Sequence, residues 1–517
     1  MEFANLFQNW LVSSVIGTSP FPLLLLLCGS SLAFLLVSSV RRRQPGGSSS
    51  PPPSPPRLPI IGNLHQMSSR PYHAMHELSQ KHGPLIRVHI GPRPLYVASS
   101  AELATEITKI LDADSPGRDT KQASHAVFSG NRDVIFTPYD RYWRDARKLF
   151  NDELLSQKRV QSLHRIRDEQ VSKLVQKIRL ITSSSASDLD KKVAVDLSRM
   201  FLSLATSMDV KAVLGREYER GEDESVALGE LIRKANELIT EACIGEYFPR
   251  LSWLDTLTGH TRKVKNTCAP LHEFLDKVID EHESGPVRDA QDFIYRLQKH
   301  DMGLTRADIK SLLLDVFLGG TDTSAGTMEW TMAELVKNPA AMKKVQEEIR
   351  RVVGDKPKID ESDVSQMEYL QCVIKEALRL HGPSAMSRKT SSDTRLSGGF
   401  EIPAGSSIVI NLWAVNRDPT LWERPLEFVP ERFVGSGHGY KGLDGKYFPF
   451  GMGKRICPGV RFAVSKVELV IANLLCWFDW ELPGGMAPED LDMRDTFAIV
   501  ARKESPLCLV PRPVKAV

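Results

Sequence analysis

Little in this chain marks it by charge. Over 517 residues, 67 lysines and arginines stand against 64 aspartates and glutamates. So near-neutral a balance gives no basic footprint of the kind that holds nucleic acid. Cysteines are few: seven, an odd number, irregularly spaced and without a Cys-x-x-Cys. That excludes a disulfide framework and a zinc site of paired thiols, and fits a reducing compartment. No internal repeat is present. No glycine-rich loop follows a strand in the pattern that cradles a dinucleotide. Linker-like stretches are missing after residue 60, where Ser183-Ser184-Ser185 and Gly435-Ser436-Gly437 read as surface loops. The length alone suggests several domains, but the absence of boundaries favours one large catalytic unit.

Long apolar runs are scarce too, with one exception. Residues 21–40 carry no charge and include Leu23-Leu24-Leu25-Leu26-Leu27. As a helix they span about 30 Å, the thickness of a bilayer core. Arg41-Arg42-Arg43 follow at once, and the positive-inside rule places them and everything after them in the cytosol. A cleaved signal peptide is the alternative. Against it stand Glu2, the lack of lysine or arginine before the run, and the length of the run. The expected organisation is therefore a lumenal or interfacial segment (1–20), a transmembrane helix (21–40), a basic and proline-rich linker (41–59) and a catalytic domain (60–517). Within the linker, Pro45-Gly46-Gly47-Ser48-Ser49-Ser50 is flexible and Pro51-Pro52-Pro53-Ser54-Pro55-Pro56 stiff.

The remainder reads as mainly α with a small β part. Ile86, Val88 and Ile90 alternate with polar residues, Gly91-Pro92-Arg93-Pro94 turns the chain, and Leu95-Tyr96-Val97 returns, which predicts a hairpin. Ser407–Ile410 reads as another strand. The longest helix is predicted from Thr305, with Asp308 as its capping-box partner, to Lys337. Asn338-Pro339 then serve as N-cap and first residue of the next helix.

Cysteine and glycine come together at one place. Phe448-Pro449-Phe450-Gly451-Met452-Gly453-Lys454-Arg455-Ile456-Cys457-Pro458-Gly459 leads into a long apolar segment. Pro458 suits the first helical position, which makes Cys457 the expected N-cap, with the helix amides and dipole facing its sulfur. Both favour thiolate. Gly451 and Gly453 let the loop pass close to a flat ligand, and Arg455 offers a cation to an anionic group on it. Together these suggest haem with a cysteine axial ligand. A lone cysteine beside an apolar helix is otherwise a core residue.

A second concentration lies within the long helix, at Gly319-Gly320-Thr321-Asp322-Thr323-Ser324. Two glycines there cost about 1 kcal/mol each relative to alanine. Gly319 and Thr323 share a face, so Thr323 points where Gly319 leaves room. A helix crossing built on small residues is the alternative. Two further pairs sit at helical spacing: Glu376 with Arg379, and Trp143 with Arg147. An indole N–H and a guanidinium suit a carboxylate ligand.

The order of these motifs resembles the cytochrome P-450 family, in its membrane-bound, plant-type microsomal form. Phe450, Gly453, Arg455, Cys457 and Gly459 match the haem-ligand loop position by position, and Gly319–Ser324 the oxygen-activation motif. Glu376, Arg379 and Arg432 (in Pro430-Glu431-Arg432-Phe433) resemble the triad that holds the proximal core. The resemblance implies a single haem domain of the P-450 fold. Its haem b takes an axial thiolate from Cys457, and its carboxylates pair with Trp143, Arg147, Arg455 and Arg388. Asp322 and Thr323 manage protons and bound dioxygen. Implied partners are a separate NADPH–cytochrome P-450 reductase, cytochrome b5 as a second electron donor, and membrane lipid, with the chain on the cytosolic face of the endoplasmic reticulum. The implied reaction is monooxygenation of a hydrophobic plant metabolite such as a terpenoid, alkaloid or phenolic. Phe128, Phe317 and Phe497 fall where the substrate cavity is expected, or else pack the core. His381-Gly382-Pro383-Ser384-Ala385-Met386-Ser387-Arg388 is shorter than in most relatives, with Gly382 where a second proline is usual. A reductase-independent haem-thiolate lyase or isomerase, and a non-enzymatic haem carrier or sensor, remain as alternatives.

Overall fold

The computed structural model describes residues 51–114, 117–130, 132–184, 193–215, 222–284 and 293–514. The expected anchor, the segment before it and the flexible half of the linker lie outside these residues. Among the described residues no helix is long and apolar enough to cross a membrane. The stiff half of the linker is laid on the domain: Pro52 and Pro55 are buried, and Arg87 N–H donates to the Pro53 carbonyl at 2.8 Å.

The fold is mainly helical with small sheets. The helices used below are α1 (Pro71–His82), α2 (Ala101–Asp114), α3 (Arg141–Phe150), α4 (His164–Ser184), α5 (Leu197–Leu214), α6 (Glu222–Thr240), α7 (His260–Ser284), α8 (Arg306–Lys337), α9 (Pro339–Val353), α10 (Glu368–His381) and α11 (Val460–Trp477). The expected loop at 183–185 is a correction, since α4 continues through Ser184. Strands β1 (Leu85–Ile90) and β2 (Arg93–Ala98) form the hairpin, with Ile90 opposite Arg93. The turn is therefore Gly91-Pro92 alone, shorter than expected, and Gly91 has φ +61°, a conformation open to glycine. Strands β3 (Met386–Lys389) and β4 (Ser407–Ile410) complete a sheet of order β1-β2-β4-β3, with β4 parallel to β2 and antiparallel to β3.

Helix α8 is the axis of the molecule, about 48 Å long at 1.5 Å per residue. It starts where the sequence indicates: Thr305 N–H donates to Asp308 Oδ2 at 2.9 Å, and Asp308 N–H to Thr305 Oγ1 at 3.2 Å. At its far end Asn338 is the N-cap of α9 by position only. Its side-chain amide turns back to the Glu334 carbonyl at 2.8 Å, so it closes α8 and leaves α9 uncapped.

Two apolar cores meet on α8. Residues from Ile309 to Leu318 pack with α3, α6 and α7. Those from Ala325 to Val336 pack with α4, α9, α10 and α11. The glycine–threonine motif falls between them. From Ser311 to Val336 only Gly319, Gly320, Thr323 and Thr327 are not fully buried. Gly319, Thr323 and Thr327 recur every four residues, so one open stripe crosses the middle of an enclosed helix.

Candidate active site

The loop before α11 places Cys457 at a helix mouth, with one correction. The helix begins at Val460 and its N-cap is Gly459, so Cys457 and Pro458 stand just outside it. The sulfur still receives an N–H, from Gly459, much as an N-cap side chain does. Cys457 N–H donates to the Phe450 carbonyl at 3.0 Å, which folds the loop back on itself. Burial pushes the Cys457 thiol up, while the Gly459 amide and the Arg147 and Arg118 guanidinium groups pull it down.

Gly453 has a role the sequence did not show. Its φ is +72°, and a Cβ there would stand 2.1 Å from Asp112 Oδ2 and 2.6 Å from Thr108 Cγ2 on α2. Asp112 Oδ2 accepts the Lys454 N–H at 2.6 Å. The missing side chain admits a capping carboxylate of the protein itself. Gly451, at φ +75°, faces Met386 Sδ. Phe450 packs edge-on to Tyr440, with ring centroids 6.0 Å apart.

Four arginines gather beside this loop. Arg455 Nη2 donates to the Thr137 carbonyl at 2.7 Å and its guanidinium lies 4.3 Å from the Trp143 ring centroid. Arg147, on α3, donates to the Ile456 carbonyl. Arg388, on β3, donates to the Met452 carbonyl at 3.0 Å. Arg118 reaches the Arg455 carbonyl at 3.5 Å. Trp143 Nε1 donates to the Val134 carbonyl at 2.9 Å, so its indole N–H is engaged within the chain. Burial, then Arg118, and Arg455 in turn, bring Arg388 down to about 9. Burial, then Arg118 and Arg147, bring Arg455 to about 9.

Behind the loop, Glu376 and Arg379 on α10 form a fully buried pair. Arg379 Nε donates to Oε2 at 2.7 Å and Nη2 to Oε1 at 2.8 Å. Arg432 Nε adds a bond to Oε1 at 2.9 Å, and Val429 N–H another at 2.8 Å. The arginines extend to the carbonyls of Asn416, Pro425, Glu427 and Glu423, tying α10 to the segment ahead of the cysteine loop.

On α8, Thr323 Oγ1 donates to the Gly319 carbonyl at 2.6 Å, and Thr327 repeats the bond to Thr323 at 2.8 Å. A Cβ on Gly319 would meet nothing within 4 Å, whereas one on Gly320 would meet Asp209 Oδ2 at 2.6 Å. Only Gly319 opens the helix face; Gly320 makes room for α5. Asp322 points elsewhere, to Arg233 Nε on α6 at 3.1 Å and Arg502 Nη1 at 3.9 Å.

A model of the family described as cytochrome P450 matches residues 52–509. The chain belongs to the cytochrome P450 family. A phenylacetaldehyde oxime monooxygenase of Prunus mume is 40% identical over 473 residues, covering 89% of this chain and 88% of its own length. Cytochrome P450 71A1 of Persea americana is 40% identical, over 87% and 91%. An indoleacetaldoxime dehydratase of Arabidopsis thaliana is 38% identical, over 89% and 93%. The protein is thus a P450 monooxygenase, and the reading as a haem carrier falls. The family binds haem through a cysteine thiolate and takes electrons from a redox-partner reductase.

The residues present fit that group. Arg118, Arg147 and Arg388 form no ion pair among the described residues, and the Nε atoms of Arg118 and Arg388 are buried without a partner. Cations held by carbonyls, with donors to spare, suit two carboxylates. Arg118 escaped the sequence reading. It lies in a segment with no periodicity, brought in by the Gly117–Lys389 bridge to β3, and nothing local signals it.

The three phenylalanines fall in two places. Phe128 and Phe317 are fully buried in the core around α7 and α8. Phe497 is half-buried against Tyr72, at 5.8 Å between centroids, and lines a cavity of about 440 Å³ with Arg70, Glu237, Lys263 and Asp495.

Proposed function

We propose that this P450 inserts one atom of dioxygen into a hydrophobic plant specialised metabolite, a terpenoid, alkaloid or phenolic, with Cys457 as the axial ligand. Haem bound there supplies the oxygen chemistry, its thiolate pushing electron density that favours O–O cleavage. Arg118, Arg147, Arg388 and Arg455 hold its carboxylates, with Trp143 packed beneath Arg455. Electrons come from NADPH through a separate reductase, with cytochrome b5 as a second donor. Residues 21–40 anchor the chain in the endoplasmic reticulum membrane, with the catalytic domain cytosolic. The Glu376–Arg379–Arg432 cluster keeps the cysteine loop in place.

The open stripe on α8 carries the oxygen-using reading. Thr323 presents its hydroxyl on the open stripe of the helix, four residues from a glycine that leaves free space. Its proton is lent to the Gly319 carbonyl and its lone pairs remain available to accept. Asp322 is held to α6 through Arg233, whose other partner is the surface carboxylate Glu230 at 2.9 Å. Protons can pass from there toward Thr323. In Thr323→Ala, NADPH should be consumed with peroxide released and little product formed. Tight coupling in that variant removes Thr323 from the mechanism.

A second reading, dehydration of an aldoxime, is favoured by the name of one relative, an indoleacetaldoxime dehydratase, while another is named a phenylacetaldehyde oxime monooxygenase. Phenylacetaldehyde oxime given to the reduced protein without dioxygen decides between them. Turnover there supports dehydration; turnover only with dioxygen and NADPH supports monooxygenation.

A further inference from the structure

Two opposite charges with no exposure at all lie behind the open stripe, and nothing above uses them. Lys466 stands on the second turn of α11, the helix that begins just after Cys457. Asp209 stands on α5. Lys466 Nζ donates to Asp209 Oδ1 at 2.5 Å, with both side chains at 0% exposure. Both remaining partners of the pair are on α8: Lys466 Nζ donates to the Gly320 carbonyl at 3.3 Å, and Asp209 Oδ2 accepts from Thr321 Oγ1 at 3.0 Å. The Lys466 ammonium lies over the Phe462 ring, with Nζ 4.7 Å from the ring centroid.

This cluster accounts for Gly320. A methyl group there would collide with the Asp209 carboxylate, so the glycine is the socket into which the pair is set. A buried ion pair is seldom the most stable way to fill such a space, because desolvating both charges cancels most of their attraction. What it does supply is direction: each charge accepts only a few geometries, and apolar contacts do not. Consecutive carbonyls of α8 each take a donor beyond the helix ladder, Gly319 from Thr323 and Gly320 from Lys466. Extra donors to helix carbonyls tilt them outward and bend the helix locally.

We infer that the Lys466–Asp209 pair is a positioning clamp, which fixes the Gly319–Thr323 turn of α8 against the helix carrying the Cys457 loop and so sets where Thr323 sits on the oxygen side. The inference rests on the reading of Cys457 and Thr323 as the two faces of one site. Lys466 and Asp209 touch no reacting atom and act through Gly320 and Thr321.

The test uses full-length holoprotein in membranes, with carbon monoxide as the probe. Lys466→Met, Thr321→Val and the double variant Asp209→Leu/Lys466→Met are compared with Thr323→Ala and with Asp255→Asn. The last weakens a buried turn elsewhere, at Ile244 and Gly245. The readouts are the C–O stretching band of the reduced carbonyl complex and the unfolding temperature. The clamp predicts that Lys466→Met and the double variant move or split the band even where the double variant's unfolding temperature matches the parent. Thr321→Val should move it less, in the same direction. Asp255→Asn should unfold earlier with the band unmoved. A double variant with the parent's band, or Thr321→Val with no shift, overturns the clamp. Should the Lys466 variants move the band while Thr323→Ala does not, the clamp stands and the role given to Thr323 fails. The converse leaves Thr323 in place and removes the clamp.

Discussion

Replacing Glu376 by glutamine asks how much a charge is worth once it is enclosed. Its two oxygens receive four N–H donors, three from the guanidinium groups of Arg379 and Arg432 and one from Val429. Glutamine keeps the shape and one accepting oxygen. It removes the charge facing two guanidinium groups that are 0% and 10% exposed, and turns an amide donor toward Arg379. Leaving a buried charge unpaired costs about 3–5 kcal/mol, a large part of the ~5–15 kcal/mol that holds a domain folded. An internal control has the same spacing and the same residue types: Arg424 and Glu427 are 3.2 Å apart at 54% and 60% exposure. Exposed pairs contribute ~0–1 kcal/mol, so Glu427→Gln should be close to silent. The assay is urea unfolding followed by tryptophan fluorescence, with Trp422 5.4 Å from the Arg379 guanidinium as a local reporter. Glu376→Gln should shift the midpoint well below Glu427→Gln and reduce the fraction of protein with thiolate-bound haem. Equal midpoints for the two variants would falsify the argument from burial.

The adjacent glycines of α8 should respond in opposite ways to alanine. Gly319→Ala fills free space, so it should gain up to about 1 kcal/mol of helix propensity while weakening carbon monoxide binding. Gly320→Ala should lose roughly 1–3 kcal/mol to overpacking against Asp209, and matching unfolding curves for the pair would contradict their assignment to different faces. Glu468 gives a pH test away from the haem: burial outweighs its Tyr440 hydrogen bond and lifts the carboxyl from 4.5 to about 7. The fold thus holds this proton more tightly than the unfolded chain does. The resulting stability is full below 4.5 and is lost as pH rises through 7, so the parent should fall relative to Glu468→Gln across that window by at most ~3 kcal/mol. Parallel stability profiles for parent and variant would refute it. Phe497→Ala should change the range of substrates turned over, since Phe497 borders a cavity; an unchanged range counts against it.

What could be read from the sequence was local. The Thr305–Asp308 capping box and the stop at Lys337 depend on neighbours three residues away or adjacent. The 407–410 strand was also legible, but its parallel pairing with β2 was not, because that partner lies far along the chain. The two glycines of α8 read as one feature of the Gly319–Ser324 motif. They separate only when Asp209 arrives, 112 residues from Thr321 in the sequence. Gly453 likewise carries a requirement with no local signal, set by Asp112 on α2. The helix after Cys457 starts two residues later than proline placement suggested, while the amide it offers the sulfur survives. Arg118 had no local signature, since what matters is its company, three other arginines from separate elements.

The most direct test of Cys457 as the ligand is the spectrum of the reduced carbon monoxide complex in the parent and in Cys457→Ala, at matched haem content. The parent should show the red-shifted Soret band of thiolate ligation and the variant should lack it. A band that persists in Cys457→Ala would place the ligand elsewhere and undo the site described around it.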